Sequence, residues 1–273
     1  MLRALARSTH PGPTVAVTLI ACALAWGAGL DGWRVAVVTV MILLNQISVG
    51  LSNDWLDVAR DRRTGRTDKP IASGEVSTRL VATIAIVSAV ASVGLSLTLG
   101  PLAALAHAVF LASGWFYNLG LKSTAASVVP YITGFGALPA IVTLAAQPPH
   151  LAAAWVIAAG SLLGVAAHFS NVLPDLEDDR ETGVRGLPHY LGSRASGIII
   201  AVSLVAASLT IVFGPGTPPT IVGYLGVAAI LAIAVVSLTL IARNIMKRML
   251  FRLSIAAALI SVVLLLLSAP QLS

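Results

Sequence analysis

Nine apolar stretches, each long enough to cross a lipid bilayer, constrain this sequence more than any other feature. They cover approximately residues 14–30, 35–53, 79–99, 101–118, 126–146, 151–171, 194–213, 218–241 and 250–268. A transmembrane helix needs about 17–25 predominantly apolar residues. Turn-forming residues separate the stretches: Gly29-Leu30-Asp31-Gly32, Gly100-Pro101, Gln147-Pro148-Pro149, and Gly214-Pro215-Gly216 followed by Pro218-Pro219. The pattern predicts an all-α polytopic membrane protein with nine transmembrane helices, formed as a single domain over residues 1–273.

With 57% hydrophobic and 10% charged residues and a mean hydropathy of +0.92, the chain lacks the composition of a soluble domain. Its lone Cys22 excludes a disulfide framework and a thiolate metal cluster. The net charge of +6 raises the question of nucleic acid, but the cations sort by side of the membrane instead. With the N-terminus inside, the cytoplasmic set is Arg3 and Arg7; Arg60, Arg62, Arg63, Arg66, Lys69 and Arg79; Lys122; Arg180, Arg185 and Arg194; and Arg243, Lys247, Arg248 and Arg252. That is sixteen of seventeen, and only Arg34 falls outside. This asymmetry predicts a cytoplasmic N-terminus and an external C-terminus. Ten of the eleven acids lie in the cytoplasmic stretches after spans two and six, and Asp31 is alone outside.

The first acidic stretch, residues 53–70, carries Asn53, Asp54, Asp57 and Asp61, then Arg62, Thr64, Gly65, Arg66, Lys69 and Pro70. If the preceding helix continues, the four-residue spacing puts Asn53, Asp57 and Asp61 on one face. Carboxylates at i, i+4 repel by roughly 0.2–0.5 kcal/mol. Removing any one of them is therefore expected to leave stability equal or slightly higher. A second stretch repeats the skeleton 118 residues later: Ser170, Asn171, Asp175, Asp179, Arg180, Thr182, Gly183 and Pro188 match Ser52, Asn53, Asp57, Asp61, Arg62, Thr64, Gly65 and Pro70. The offset predicts two pseudo-repeated groups of helices that present matched acidic faces to one central chamber.

Oxygen ligands without Cys or paired His point to Mg²⁺ or Ca²⁺. The cations Arg62, Arg66, Lys69, Lys122 and Arg180 beside them suit a phosphate group that shares the metal. The same cations oppose a divalent-cation transporter, whose acids belong near the midplane. A CDP-alcohol phosphotransferase has Asp-x2-Asp-Gly-x2-Ala-Arg; here Val58, Ala59 and Arg60 follow Asp57, so the glycine and the spacing are missing.

Several segments resemble the UbiA superfamily of intramembrane prenyltransferases. They are Asn53-x3-Asp57-x3-Asp61 with Asp54, Lys69-Pro70-Ile71-Ala72-Ser73-Gly74, Asp175-x3-Asp179 with Arg180 and Gly183, and Tyr117-Asn118-Leu119-Gly120-Leu121-Lys122. Gly186-Leu187-Pro188-His189 departs from the threonine-containing turn of many members. The resemblance covers essentially the whole chain. It implies nine transmembrane helices and Mg²⁺-dependent transfer of an isoprenyl group from a prenyl diphosphate to a lipophilic, typically aromatic, acceptor. It also implies Asn53, Asp54, Asp57, Asp61, Asp175 and Asp179 as metal ligands. Asn53, Arg62, Arg66, Lys69, Lys122, Asn171 and Arg180 would contact the diphosphate. Catalysis would rest on the four motif aspartates Asp57, Asp61, Asp175 and Asp179 with Lys122 and Tyr117. A membrane terpene cyclase of the same superfamily would ionise the same substrate without an acceptor.

Each residue also has a plainer role. The cations set topology, and Trp115, Phe116, Tyr117 and Phe169 suit an interfacial aromatic belt. Asn45, His107 and His168 suit interhelical hydrogen bonds as well as a chamber lining.

Overall fold

The computed structural model describes residues 2–66, 69–176, 183–243 and 247–272, and every regular element among them is helical. A short helix α1 (Leu2–Ser8) precedes α2 (Pro11–Gly27), α3 (Gly32–Arg63), α4 (Thr78–Leu97), α5 (Pro101–Leu119) and α6 (Val129–Leu144). They are followed by α7 (Ala154–Val172), α8 (Leu187–Phe213), α9 (Ile221–Ala242) and α10 (Lys247–Leu267). Among the described residues, α3, α4, α5, α7, α8 and α9 are long and apolar enough to span a membrane. The apolar parts of α2, α6 and α10 are shorter, at Pro11–Gly27, Val129–Leu144 and Arg252–Leu267.

Consecutive helices from α2 to α10 pack on one another, and α10 returns to touch α2, α7 and α8, so the bundle closes on itself. Apolar side chains such as Leu19, Val90, Leu105, Val235 and Leu259 point outward, as a lipid-facing surface requires. Between helices, small residues replace the hydrophobic effect as the means of close approach. A Cβ on Gly164 of α7 would lie 2.3 Å from the Tyr131 carbonyl oxygen of α6. The α6–α7 contact is therefore set backbone to backbone, and it fixes where Tyr131 stands.

Two boundaries differ from the apolar pattern and matter for the site. Helix α3 does not stop at the apolar edge near 53; it runs ten residues further, to Arg63. At about 1.5 Å per residue its 32 residues make a rod of about 48 Å. Helix α7, by contrast, ends at Val172, one residue past Asn171, and Leu173–Asp175 form a 3₁₀ turn. Pro174 occupies the position of Leu56 in the first copy. A helix through it would lose a backbone hydrogen bond and drive its ring into the Ser170 carbonyl. Among the described residues, the second copy therefore tightens to a 3₁₀ turn at Leu173–Asp175 where the first copy continues as α-helix.

Candidate active site

A cavity of ≈ 580 Å³ opens along the inner face of α3. Asn45, Gln46, Val49, Asn53, Asp57 and Asp61 line it at successive turns of that helix, over about 24 Å of its length. Facing them are Pro13, Thr14 and Val17 of α2, Phe110, Ser113, Tyr117 and Asn118 of α5, and Tyr131 and Phe135 of α6. Arg60, Arg66, Lys69 and Lys122 join the acids at one end. The other end is neutral and largely apolar or aromatic.

The acids are buried: Asp57 is 8% exposed and Asp61 3%. Each carboxylate of the upper α3 turn is met by cations. Lys122 donates from Nζ to both Asp57 oxygens at 2.6 Å, and Arg60 Nη2 reaches Asp57 Oδ2 at 2.7 Å. Arg60 also lies 3.6 Å from Asp61. Burial pushes the Lys122 ammonium below the usual lysine pKa, and the Asp57 charge opposes that shift. This corrects the expected effect of removing Asp57. Asp57 meets two cations at 2.6 and 2.7 Å, so loss of its carboxylate is expected to be destabilising, not neutral.

Asn53 donates to the Asn118 Oδ1 at 3.0 Å, and Asn118 in turn donates to Ser52 Oγ and the Val49 carbonyl. This network clamps α5 to α3 beside the acids. Arg66 lines the cavity. Arg62 is absent from the lining and donates to the Ile71 carbonyl at 3.4 Å, bracing the loop that carries Lys69. Asp54 is also absent from the lining, and it holds Lys69 and His10 from behind.

From the second motif, Asn171 lines the cavity together with Tyr131. Asp175 sits on the 3₁₀ turn that follows. Asp179 and Arg180 lie outside the described residues. Tyr117 packs edge-on to Tyr131 with ring centroids 5.3 Å apart. Asn45 lines the inner cavity and is bonded to His107 at 3.3 Å. His168 does not line it. It is fully buried, is paired with Ser127 Oγ at 3.0 Å, and packs against Tyr131 at 4.9 Å. Trp115 bonds Ser48, Phe116 faces outward and Phe169 is buried.

Sequence reasoning missed His10, Arg60, Tyr131, Phe135 and His189 as lining residues. Arg60 had a signal, being three residues from Asp57 on a helix. His10 and His189 reach the cavity only through tertiary packing.

Among the described residues, no three His, Cys, Asp or Glu side chains converge into a ready-made metal cluster. The donor set nonetheless fits Mg²⁺, which is bound through one or two carboxylates while substrate phosphate and water complete the shell. Asp57 and Asp61 supply such a pair of hard oxygen donors, and the softer Cys ligands are absent.

A closed helical bundle with a lipid-facing apolar surface, and with carboxylates and ammonium groups at one end of an apolar, aromatic cavity, defines a polytopic membrane protein with an amphipathic internal site. The UbiA prenyltransferase family matches residues 14–256, and the chain belongs to that family. It is 30% identical over 217 residues to a 4-hydroxybenzoate octaprenyltransferase of Alkalilimnicola ehrlichii, covering 75% of this chain and 71% of that one. It is 28% identical over 192 residues to the bacteriochlorophyll synthase 33 kDa chain of Cereibacter sphaeroides, a match over 63% of this chain that spans only 60% of that relative's length. The fold matches a UbiA homologue from Archaeoglobus fulgidus bound to DMAPP and Mg²⁺, with a TM-score of 0.72 at 13% identity over 96% of this chain and 98% of that one.

Proposed function

We propose that this protein transfers an isoprenyl group from a prenyl diphosphate to an aromatic or other lipophilic acceptor inside the membrane, in a Mg²⁺-dependent reaction. The single observation that carries the reading is the polarity of the cavity, charged at one end and apolar and aromatic at the other, on one face of α3. A prenyl diphosphate has the same two-part character. Nine membrane crossings in two pseudo-repeated groups, one domain over the whole chain, and a cytoplasmic N-terminus with both acidic motifs on that side belong to the same proposal.

Asp57, Asp61, Asp175 and Asp179, with Asn53 beside them, would hold Mg²⁺, which when bound supplies positive charge to the diphosphate leaving group. Lys69, Lys122, Arg66 and Arg180 bind the remaining phosphate oxygens, and the Asn53 and Asn171 amides orient them. The allylic C–O bond breaks with its electron pair leaving on the diphosphate. Lysine and arginine N–H groups stabilise that growing charge most at the transition state. Tyr117 and Tyr131 line the same cavity, and aromatic faces attract cations such as the allyl group. An electron pair of the acceptor forms the new bond to the allylic carbon, and the acceptor then loses its proton. Burial of the site keeps water from that carbon.

The test is incubation of the purified protein with Mg²⁺, prenyl diphosphates of several lengths and a panel of phenolic and other lipophilic acceptors, with mass spectrometry of the products. A prenylated acceptor that disappears with EDTA supports the reading. Diphosphate release with a cyclic hydrocarbon, unaffected by any acceptor, would replace it with a terpene cyclase.

A further inference from the structure

Asp54 stands apart from the other acids of its motif. Consecutive residues on a helix point about 100° apart, so Asp54 cannot share the direction of Asn53. It is 2% exposed, and it is missing from the cavity wall that Asn53, Asp57 and Asp61 all form. Its Oδ1 accepts from Lys69 Nζ at 2.5 Å and meets His10 Nε2 at 3.1 Å. Its Oδ2 is sealed in the protein, without a hydrogen-bond partner among the described residues. Lys69 and His10 do line the cavity. The carboxylate thus stands behind two groups that face the anion-binding end.

His10 belongs to an N-terminal arm pressed onto the site. A carboxylate only accepts hydrogen bonds, so His10 turns Nε2–H toward Asp54, which fixes the ring. The backbone at His10 is left-handed, φ 52°, at the corner between α1 and α2, a rare conformation for a residue other than glycine. One turn before Asp54, a Cβ on Gly50 would lie 2.4 Å from the Thr9 carbonyl oxygen, so the arm lies directly on the α3 backbone. Arg7 adds a forked ion pair to Glu75, at 2.7 and 2.6 Å, in the loop that carries Lys69. Three separate contacts join residues 7–10 to α3 and to that loop.

We infer that Asp54 is a positioning residue rather than a metal ligand. It fixes Lys69 and, through His10, holds the N-terminal arm as a wall of the anion-binding end. Recognition of the diphosphate therefore depends on a segment that lies outside both acidic motifs. The role of Lys69 rests on the prenyl diphosphate reading; the anchoring of the arm does not.

The experiment has two arms. The first uses metal-free protein in detergent carrying Cys22→Ser and Ser8→Cys, because Ser8 lies within the arm and is completely buried. Maleimide labelling of the new cysteine is expected to be slow. It should accelerate about tenfold or more in Asp54→Asn and in His10→Ala, as fits loss of a hydrogen bond to a charged group. In His10→Gln, which keeps an N–H donor, it should stay slow. The second arm measures kinetics. Asp54→Asn is expected to raise KM for prenyl diphosphate while leaving unchanged the Mg²⁺ concentration that gives half-maximal rate, whereas Asp57→Asn raises the Mg²⁺ requirement. Adding Asp54→Asn to Lys69→Met should worsen KM by less than Asp54→Asn does in the wild type, because only the anchoring of the arm is then left to lose. An Mg²⁺ requirement that rises in Asp54→Asn, or labelling that stays slow in both Asp54→Asn and His10→Ala, overturns the inference. If the wild-type protein forms no prenylated product, the transfer reading fails, and the labelling arm still decides whether Asp54 anchors the arm.

Discussion

Lys122→Met tests the balance of charge at the centre of the site. Lys122 and Asp57 are each 10% exposed at the side chain, and their contacts are 2.6 Å to both carboxylate oxygens. Removing one partner of a buried ion pair typically costs about 3–5 kcal/mol, because a charge is left uncompensated. Arg60 still reaches Asp57 at 2.7 Å, so the expected loss is smaller, about 2–3 kcal/mol by the same reasoning. Asp57→Asn should destabilise similarly, since it strands Lys122 in a buried position. The double variant should recover much of the loss, because no charge is then left alone. Thermal unfolding of the four proteins in EDTA-containing detergent measures this cycle. For catalysis, the loss of one donor to a developing anion is worth about 2–4 kcal/mol, or roughly 30- to 1000-fold in rate. Lys122→Met should therefore be slow even where the double variant is stable again. Additive stability effects would refute the pairing, and a wild-type rate from Lys122→Met would refute the clamp.

The close approaches make further predictions. Gly164→Ala forces a Cβ to within 2.3 Å of the Tyr131 carbonyl and should cost about 1–3 kcal/mol in thermal unfolding, as overpacking does. Gly94→Ala, with nothing within 4 Å of the new Cβ, should be neutral or stabilising. Gly186→Ala meets the Lys122 carbonyl oxygen at 2.7 Å and Ser127 Oγ at 2.9 Å, so it should shift Lys122 and raise KM for prenyl diphosphate; an unchanged KM would deny that coupling. Tyr131→Phe removes a hydroxyl from the cavity wall that Tyr117 and Asn171 share, and product analysis should show a larger hydrolysed fraction than in the wild type.

The apolar runs made the helices legible, because a lipid-facing segment must be apolar along its length. The places where the runs misled are polar by composition but helical by packing. Asn53 to Arg63 is hydrophilic, yet it continues α3 because cations neutralise Asp54 and Asp57 one at a time. The repeat suggested the same conformation at the second motif, but a single proline at 174 ends α7 there. Charge counting put Asp31 and Arg34 alone on one side, and the two are hydrogen-bonded to each other, with Arg34 lying over Trp33. Spacing could identify Asn53, Asp57 and Asp61 as one face. It could not say what Asp54 meets on its own face, since that is His10, forty-four residues earlier in the chain. Nor could it separate Asn45, which lines the cavity, from His168, which is committed to Ser127.

The resting arrangement also bears on how ligands enter. Lys122 is already committed to Asp57. A free anion that took Lys122 would leave the Asp57 carboxylate buried with less compensation, a change that low dielectric makes unfavourable. A divalent cation alone meets the converse obstacle, since it must displace the Lys122 ammonium group held at 2.6 Å. Arriving together, the two exchange partners: carboxylate to metal and ammonium to phosphate, with no charge left unpaired. Diphosphate and divalent-cation binding should therefore be positively linked, each raising the affinity of the other by the same factor, as linkage demands. Equilibrium binding of a non-reactive prenyl thiodiphosphate with and without Mg²⁺ measures the factor. In Lys122→Met the metal no longer has an ammonium group to displace from Asp57, so Mg²⁺ alone should bind more tightly and the linkage should shrink. Equal affinity for the thiodiphosphate with and without Mg²⁺ in the wild type would refute the exchange.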